Sequence, residues 1–347
     1  MLDTRLRNQK LIGSELRRPR DVVAWLGAVQ AQDYAGATWA LALRARELTA
    51  STIEQAFARG QILRTHLLRP TWHFVAPADL RWMQALTGPR VQRMVRGYGR
   101  RLGLDARTFV RARGIIERAL EGERHLTRLE LAAALTRARI PVDGQRLAML
   151  VMDAELEAAI CSGPRRGKQF TYALVEARVA PAPVLARDEA LAELARRYFQ
   201  SHGPATVHDF AWWSGLTVQD ARRGAAAMPR HVLSEPPSLD QARDAHFLLS
   251  NYDEYLIAYK HRGAVIDPAR ARNLGVFTSV EYPHHVIADG RVAGSWRRHV
   301  TTQSAVVTVR SYARPSARQC EALAAQADRF GRFFGVPCTL ESDSVTP

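Results

Sequence analysis

"STIEQAFARGQILRTHLLRPTWHFVA", residues 51–76, decides how the chain is read. Its first part has helical spacing, and Thr49 stands just ahead of it, where a hydroxyl can cap a helix. The period then changes. "ILRTHLL" and "TWHFVA" are short β-like runs split by Arg69-Pro70, in the manner of a hairpin. Upstream, "RPRDVVAWLGAVQAQ" places Val22, Val23, Leu26 and Val29 on one helical face, with Gln30 and Gln32 at its close. Helices followed by a two-stranded hairpin make the sequence shape of a winged helix.

The shape returns. Asp105 can cap "ARTFVRARGIIERAL", and Thr127 with Glu130 has capping-box spacing ahead of "LAAALTRA". "GQRLAMLVMDAELEAA" reads as a third helix, and "ICSGPRRGKQFTYAL" as two β-like arms around a basic tip. A third round begins near Asp188, with Thr206/Asp209 and Thr217/Asp220 opening helices and "HVLSEPPSL" as a degenerate wing. This is repetition of architecture, not of sequence. From about residue 245 strands take over. "HFLLSNYDEYLIAY" leads into "HHVIADGRVAGSWRRHV", where Asp289-Gly290 is a strong hairpin signal, and "SAVVTVRSY" follows. The fold expected is α+β and mostly α: three tandem winged-helix units, 1–104, 105–184 and 185–244, and a small β-rich C-terminal domain, 245–347.

The chain has 347 residues, 47% of them apolar and 24% charged, enough for several cores. Lys plus Arg is 49 against 34 acids, a formal +15, with a pI near 10.6. Nearly all the excess is Arg, since lysine occurs only at Lys10, Lys168 and Lys260. Arginine's planar fork suits phosphate, so the partner expected is a polyanion, most simply nucleic acid; Arg-rich codon usage is the plainer alternative. Cys161, Cys320 and Cys338 are far apart and form no CxxC pair, which argues against zinc and for a reducing compartment. No run approaches the ~18 apolar residues of a membrane span, so a cytoplasmic protein with no membrane partner is expected.

Between Leu80 and Leu104 there are six arginines and no acid. Arg90, Arg93, Arg96 and Arg100 fall on one helical face, opposite Val91, Met94, Val95 and Tyr98. Such a face can meet phosphates or simply be solvated. The basic tip, Arg165, Arg166 and Lys168, is a second candidate phosphate contact. "GPRRGKQ" is not a P-loop, because only three residues separate its glycines and Gln169 stands where Ser or Thr should hold magnesium. "GYGRRLG" misses the dinucleotide fingerprint by one residue. No nucleotide cofactor is expected, and no metal, since His284-His285 lacks companion ligands. His66 and His73 lie on the paired β-like runs, either near a ligand or as hydrogen-bonded structural residues.

Taken together, "VQAQD", "RTHLLRPTWHFVAPADL", "ICSGPRRGKQFTYAL", "LLSNYDEYLIAYKHR" and "DGRVAGSWRR" resemble the AlkZ/YcaQ family of winged-helix DNA glycosylases, in order, from about residue 5 to 340. The resemblance implies tandem winged helices around a basic channel. It implies excision of alkylated purines from double-stranded DNA, and in some members of crosslinked bases. The family's catalytic element is Gln-x-Gln or Gln-x-Asp in the first unit, and Gln30-Ala31-Gln32 matches the first form. The middle residue is usually bulkier than Ala31. A monomer is expected, since nothing reads as a dimerisation helix.

An amide has no useful pKa, so neither glutamine can serve as general acid or base. An N7- or N3-alkylated purine needs no acid, because the base is already cationic and leaves neutral. What remains is to orient a water and stabilise the cationic sugar, which fixed amide dipoles can do. Asp33 can add a carboxylate nearby or cap the next helix. In a helix, residues two apart point about 200° apart, so both glutamines can face one ligand only if the helix ends or bends there. The alternative function is a winged-helix DNA-binding protein or transcriptional regulator without catalysis.

Overall fold

Residues 51–76 fold as helix, strand, turn, strand. In the computed structural model, which describes residues 2–182, 185–226, 228, 244–273 and 282–343, the helix Ala50–Ala58 is capped by Thr49, whose hydroxyl accepts from the Thr52 N–H. Strands β1 (Val29–Gln30), β2 (Leu63–Leu67) and β3 (Thr71–Val75) form an antiparallel sheet in the order β1-β3-β2. The helices Pro19–Leu26 and Tyr34–Leu43 complete the first winged helix. The periodicity of 18–32 overstates the first of these. It stops at Gly27, whose φ of 81° suits glycine, and Val29 and Gln30 enter the sheet instead of closing the helix.

The 25-residue helix Pro77–Arg101 leads into a second unit of the same topology. There the helices Ala106–Leu120, Arg128–Arg137 and Arg146–Leu156 accompany β4 (Leu126–Thr127), β5 (Ile160–Ser162) and β6 (Thr171–Leu174), in the order β4-β6-β5. Asp105 caps the first helix, and Thr127 and Glu130 form a reciprocal capping box on the second. The third unit contributes the helices Arg187–His202, Val207–Ser214 and Val218–Ala225, the last two capped by Thr206 and Thr217. Its candidate wing, 231–239, lies outside the described residues.

The C-terminal part is a five-stranded sheet in the order β11-β10-β9-β8-β7: β7 (Phe247–Leu249), β8 (His284–Ala288), β9 (Arg291–Val300), β10 (Ala305–Ser311) and β11 (Cys338–Ser342). The helix Ala317–Phe334 connects parallel β10 and β11. Asp289 and Gly290 turn the β8–β9 hairpin with φ of 52° and 76°, the paired positive angles of a type I′ turn. Residues 246–259 are less strand-like than their composition suggests. After β7 they form one helical turn, Glu254–Ile257, capped by Asp253.

Three apolar cores hold these parts. One joins the first unit to the C-terminal sheet through Trp39, Phe57, Phe74, Leu248, Trp296 and Phe330. A second joins the first wing to the third unit through Leu63, Met83, Leu194, Tyr198 and Trp213. The third lies in the second unit around Phe109, Ile116, Leu150 and Tyr172. The first unit is thus wedged between two neighbours. Among the described residues no helix is long and apolar enough to cross a membrane.

Candidate active site

The segment after β1 keeps to the sheet edge: the Ala31 N–H donates to the Trp72 carbonyl at 2.7 Å. Gln30 therefore lies in the sheet and Gln32 in the bend just beyond it, so the two are not set on one helix, and of the two Gln32 lines a cleft. Their surroundings differ. Gln30 is buried, opposite His73 in the sheet, and its Oε1 accepts from Arg69 Nη2 at 2.9 Å. Gln32 is exposed, and its Oε1 accepts only a long contact, 3.4 Å, from the Trp72 N–H. A carboxamide oxygen has two lone pairs, so Gln32 keeps acceptor capacity toward solvent.

Beneath Gln30 lies Glu254, fully buried. Its Oε1 accepts from the Gln30 N–H and its Oε2 from Trp213 Nε1, both at 2.9 Å, with His202 Nε2 at 3.6 Å. Burial pushes this carboxyl up, but His202 and the Gln30 N–H outweigh burial and hold it below the usual carboxylate range. Its neighbour Asp253 takes both terminal nitrogens of buried Arg44 at 2.7 and 2.8 Å, and Arg44 also reaches Gln9.

Gln32 opens on a cleft of about 680 Å³ between the first unit and the C-terminal sheet, lined also by Asp33, Asn251, Tyr252, Tyr282 and His284. Asp33 has both oxygens engaged: Oδ1 accepts from the Gly36 N–H at 3.0 Å, capping the helix Tyr34–Leu43, and Oδ2 pairs with Arg298 at 2.8 Å. Gly36 is required here, since a Cβ would stand 2.7 Å from that carboxylate and 3.1 Å from Asn251 Oδ1. His284 Nδ1 accepts from the Asn251 N–H, and burial, then the Arg298 charge, lowers its pKa to about 4, so the ring is neutral.

Neither strand histidine reaches the cleft. His66 is buried against the Glu155 carboxylate and the Trp72 ring. His73 is fully buried, its Nδ1 on the Thr71 carbonyl, and burial and then Arg69 lower its pKa to about 3. The cationic candidates also divide. Arg90, Arg93 and Arg100 are exposed on the Pro77–Arg101 helix. Arg96 is not part of a free face: it binds buried Asp153 at 2.7 Å and Glu157 at 2.8 Å, fastening this helix to Arg146–Leu156. Met94 and Tyr98 point outward instead of packing. The packed face is Val91, Val95 and Gly99, where a Cβ on Gly99 would meet the Phe109 ring at 2.5 Å. At the second wing, Arg165 pairs with Glu54 and lies over Tyr34 and Phe170, and Arg166 pairs with Glu130. Lys168 is exposed, with no acid paired to it among the described residues.

Residue spacing did not single out Glu254, Asp253, Asn251, Tyr252, Arg69 or Arg298. The signal for four of them was "NYDE", two adjacent acids in a basic chain, but their partners are far away in sequence. One trio among the described residues, Asp244, His246 and Asp289, has ligand-type atoms within 4.8 Å of one another. None lines the cleft, and Arg318 and Gln319 already engage its two acids.

Winged helices in tandem, an exposed carboxamide over a polar cleft and exposed arginines on an adjoining helix fit a winged-helix protein of the nucleic-acid-binding class. The comparison with known families makes this specific. The chain belongs to the AlkZ-like DNA glycosylase family, whose model, "DNA glycosylase AlkZ-like", matches residues 23–333. It is similar to the "Interstrand DNA cross-link repair glycosylase" of Streptomyces sahachiroi, 25% identical over an alignment of 329 positions, with 83% of this chain and 84% of that protein covered. The fold is that of the solved Streptomyces sahachiroi DNA glycosylase AlkZ, with a TM-score of 0.75, 22% identity and 98% of both chains covered.

Proposed function

We propose that this protein hydrolyses the N-glycosyl bond of N7- or N3-alkylated purines in duplex DNA, as a monomer and without a metal or nucleotide cofactor. The observation that carries this reading is the placement of Gln32, an exposed carboxamide on the wall of a polar cleft, beside a partner glutamine fixed by Arg69. Gln32 Oε1 accepts from a water and directs that water's lone pair at the sugar carbon as the base departs, and the proton the water sheds on forming the C–O bond passes to bulk solvent through the open cleft. Gln30, held by Arg69 and Glu254, keeps the loop in place. The cationic base takes the bonding electrons and leaves neutral, so no side chain has to protonate it. The resulting oxocarbenium character is stabilised by amide dipoles, while Asp33, its oxygens engaged by Gly36 and Arg298, serves as helix cap and cleft wall.

None of the three lysines lines the cleft. No ε-amine is therefore placed to form a Schiff base with the sugar, and the expected product is an intact abasic site. The cleft is open and bordered by Tyr252 and Tyr282, which suits bulky adducts. The relative's name concerns crosslink repair, and crosslinked purines are the natural extension of the same chemistry.

The test is a duplex with one N7-methylguanine, incubated with protein and then heated in alkali to break abasic sites. Wild type should release the base, and Gln32→Ala should be slower by about 10²–10³-fold, the usual cost of one fixed dipole at a developing charge. A neutral lesion such as uracil should be inert. Sequence-selective binding of undamaged DNA with no base release would replace this reading with that of a regulator.

A further inference from the structure

A second cavity, of about 430 Å³, lies between the two wings and is lined by Trp72, whose backbone touches the glutamine loop. Arg64 is its floor. The residue is only 8% exposed, and its guanidinium lies 4.3 Å from the Trp72 ring and 4.5 Å from the Phe170 ring. Its Nε donates to the Ala31 carbonyl at 2.9 Å. Among the described residues its two terminal nitrogens have no hydrogen-bond partner, and Arg64 pairs with no carboxylate. Glu155, the acid whose charge acts on it most, is engaged by His66. Burial lowers the Arg64 pKa to about 10. A guanidinium this buried normally has an acid beside it, and aromatic faces offset only part of the desolvation.

The rest of the cavity is built for an anion. Arg128 and Lys168 are exposed at its mouth, no acid among the described residues lines it, and Arg128 begins the helix Arg128–Arg137, whose N-terminal dipole favours negative charge. We propose that this cavity is a phosphate-binding subsite that seats one backbone phosphate of the DNA, with Arg64 as its buried anchor and Arg128 and Lys168 as its rim. Trp72 lines the seat while its N–H contacts Gln32 Oε1, and Arg64 holds the residue between the two glutamines, so the seated phosphate belongs to a nucleotide near the lesion. The proposal rests on the glycosylase reading only for which DNA is bound.

The test uses the full chain and a set of duplexes, each with one phosphate near the lesion replaced by neutral methylphosphonate. One position should weaken wild-type binding about tenfold, and the same replacement should cost the Arg128→Ala/Lys168→Ala variant clearly less, since Arg64 alone then faces that phosphate. The slope of log affinity against log salt should be shallower by about 1 in that variant, as for one lost phosphate contact. Both substitutions are at exposed side chains, so folding is not at stake. Equal losses in wild type and variant at every position, with an unchanged salt slope, would overturn the subsite. So would saturable binding of dAMP at micromolar concentration that duplex cannot displace, since the cavity would then serve a free nucleotide. On undamaged duplexes, where no lesion fixes the register, the difference in salt slope gives the same readout. A protein that shows the phosphate effect yet releases no base would refute the glycosylase and keep the subsite.

Discussion

In the first winged-helix unit, β1 ends in Gln30, and Ala31, Gln32 and Asp33 follow before the next helix begins. In the second unit the corresponding strand, β4, ends in Thr127, which is itself the helix cap. The sheets have the same strand order, yet only the first junction has polar side chains to spare. Their settings differ as well. The first unit is packed into two cores shared with other parts of the chain, while the second has a core of its own. A winged helix is a complete scaffold by itself. Packing it from both sides converts one of its junctions into the wall of a cleft.

Acid should break this contrast most severely. His73 and His285 are buried with pKa values lowered to about 3, each chiefly by burial. Below pH 6.5 the unfolded chain takes up protons that the folded rings refuse until about pH 3, so stability present above pH 6.5 is lost as pH falls through that window. The loss is on the order of 4 kcal/mol for His73 alone. Calorimetry between pH 7 and 4 should show the melting temperature falling, with the first unit and C-terminal sheet exchanging amide hydrogens before the second unit. In the second unit, His125 is near the surface with a smaller shift of the same sign.

Next in size is the Arg44–Asp253 pair, which joins the first unit to the segment under Gln30. Arg44→Met leaves a buried carboxylate without its partner and should cost about 3–5 kcal/mol in urea unfolding. The caps come next. Asp33→Ala and Thr127→Ala should each lose about 1 kcal/mol, and Asp33→Asn, which retains a capping oxygen, should recover part of it. A base-release rate for Asp33→Asn within tenfold of wild type fits a carboxylate occupied by Gly36 and Arg298. A hundredfold loss would give it a direct part in the chemistry. The smallest effect belongs to Arg166→Ala, which removes an exposed pair with Glu130 and should change stability by less than about 1 kcal/mol.

Much of the scaffold was legible because its signals are local. The caps at Thr49, Asp105, Thr127, Thr206 and Thr217 join residues three apart, and the Asp289-Gly290 turn lies between its own strands. The extent of the first helix was less legible, because Val29 continues the apolar spacing that Gly27 interrupts. The arginine face was half legible. Helical spacing predicted a shared side for Arg90, Arg93, Arg96 and Arg100, but not that Asp153 and Glu157 draw Arg96 inward.

By itself the sequence determined the winged-helix pattern, the excess of arginine and the presence of two unionisable amides in one short segment, since all three follow from composition and near-neighbour spacing. Only the tertiary structure decided which glutamine is fixed and which meets solvent, that Asp33 spans to Arg298, and that Arg64 lies buried between two rings with no acid paired to it among the described residues. Those outcomes depend on groups tens to hundreds of residues apart. At that range burial and charge pairing, not chain propensity, determine what each side chain is free to do.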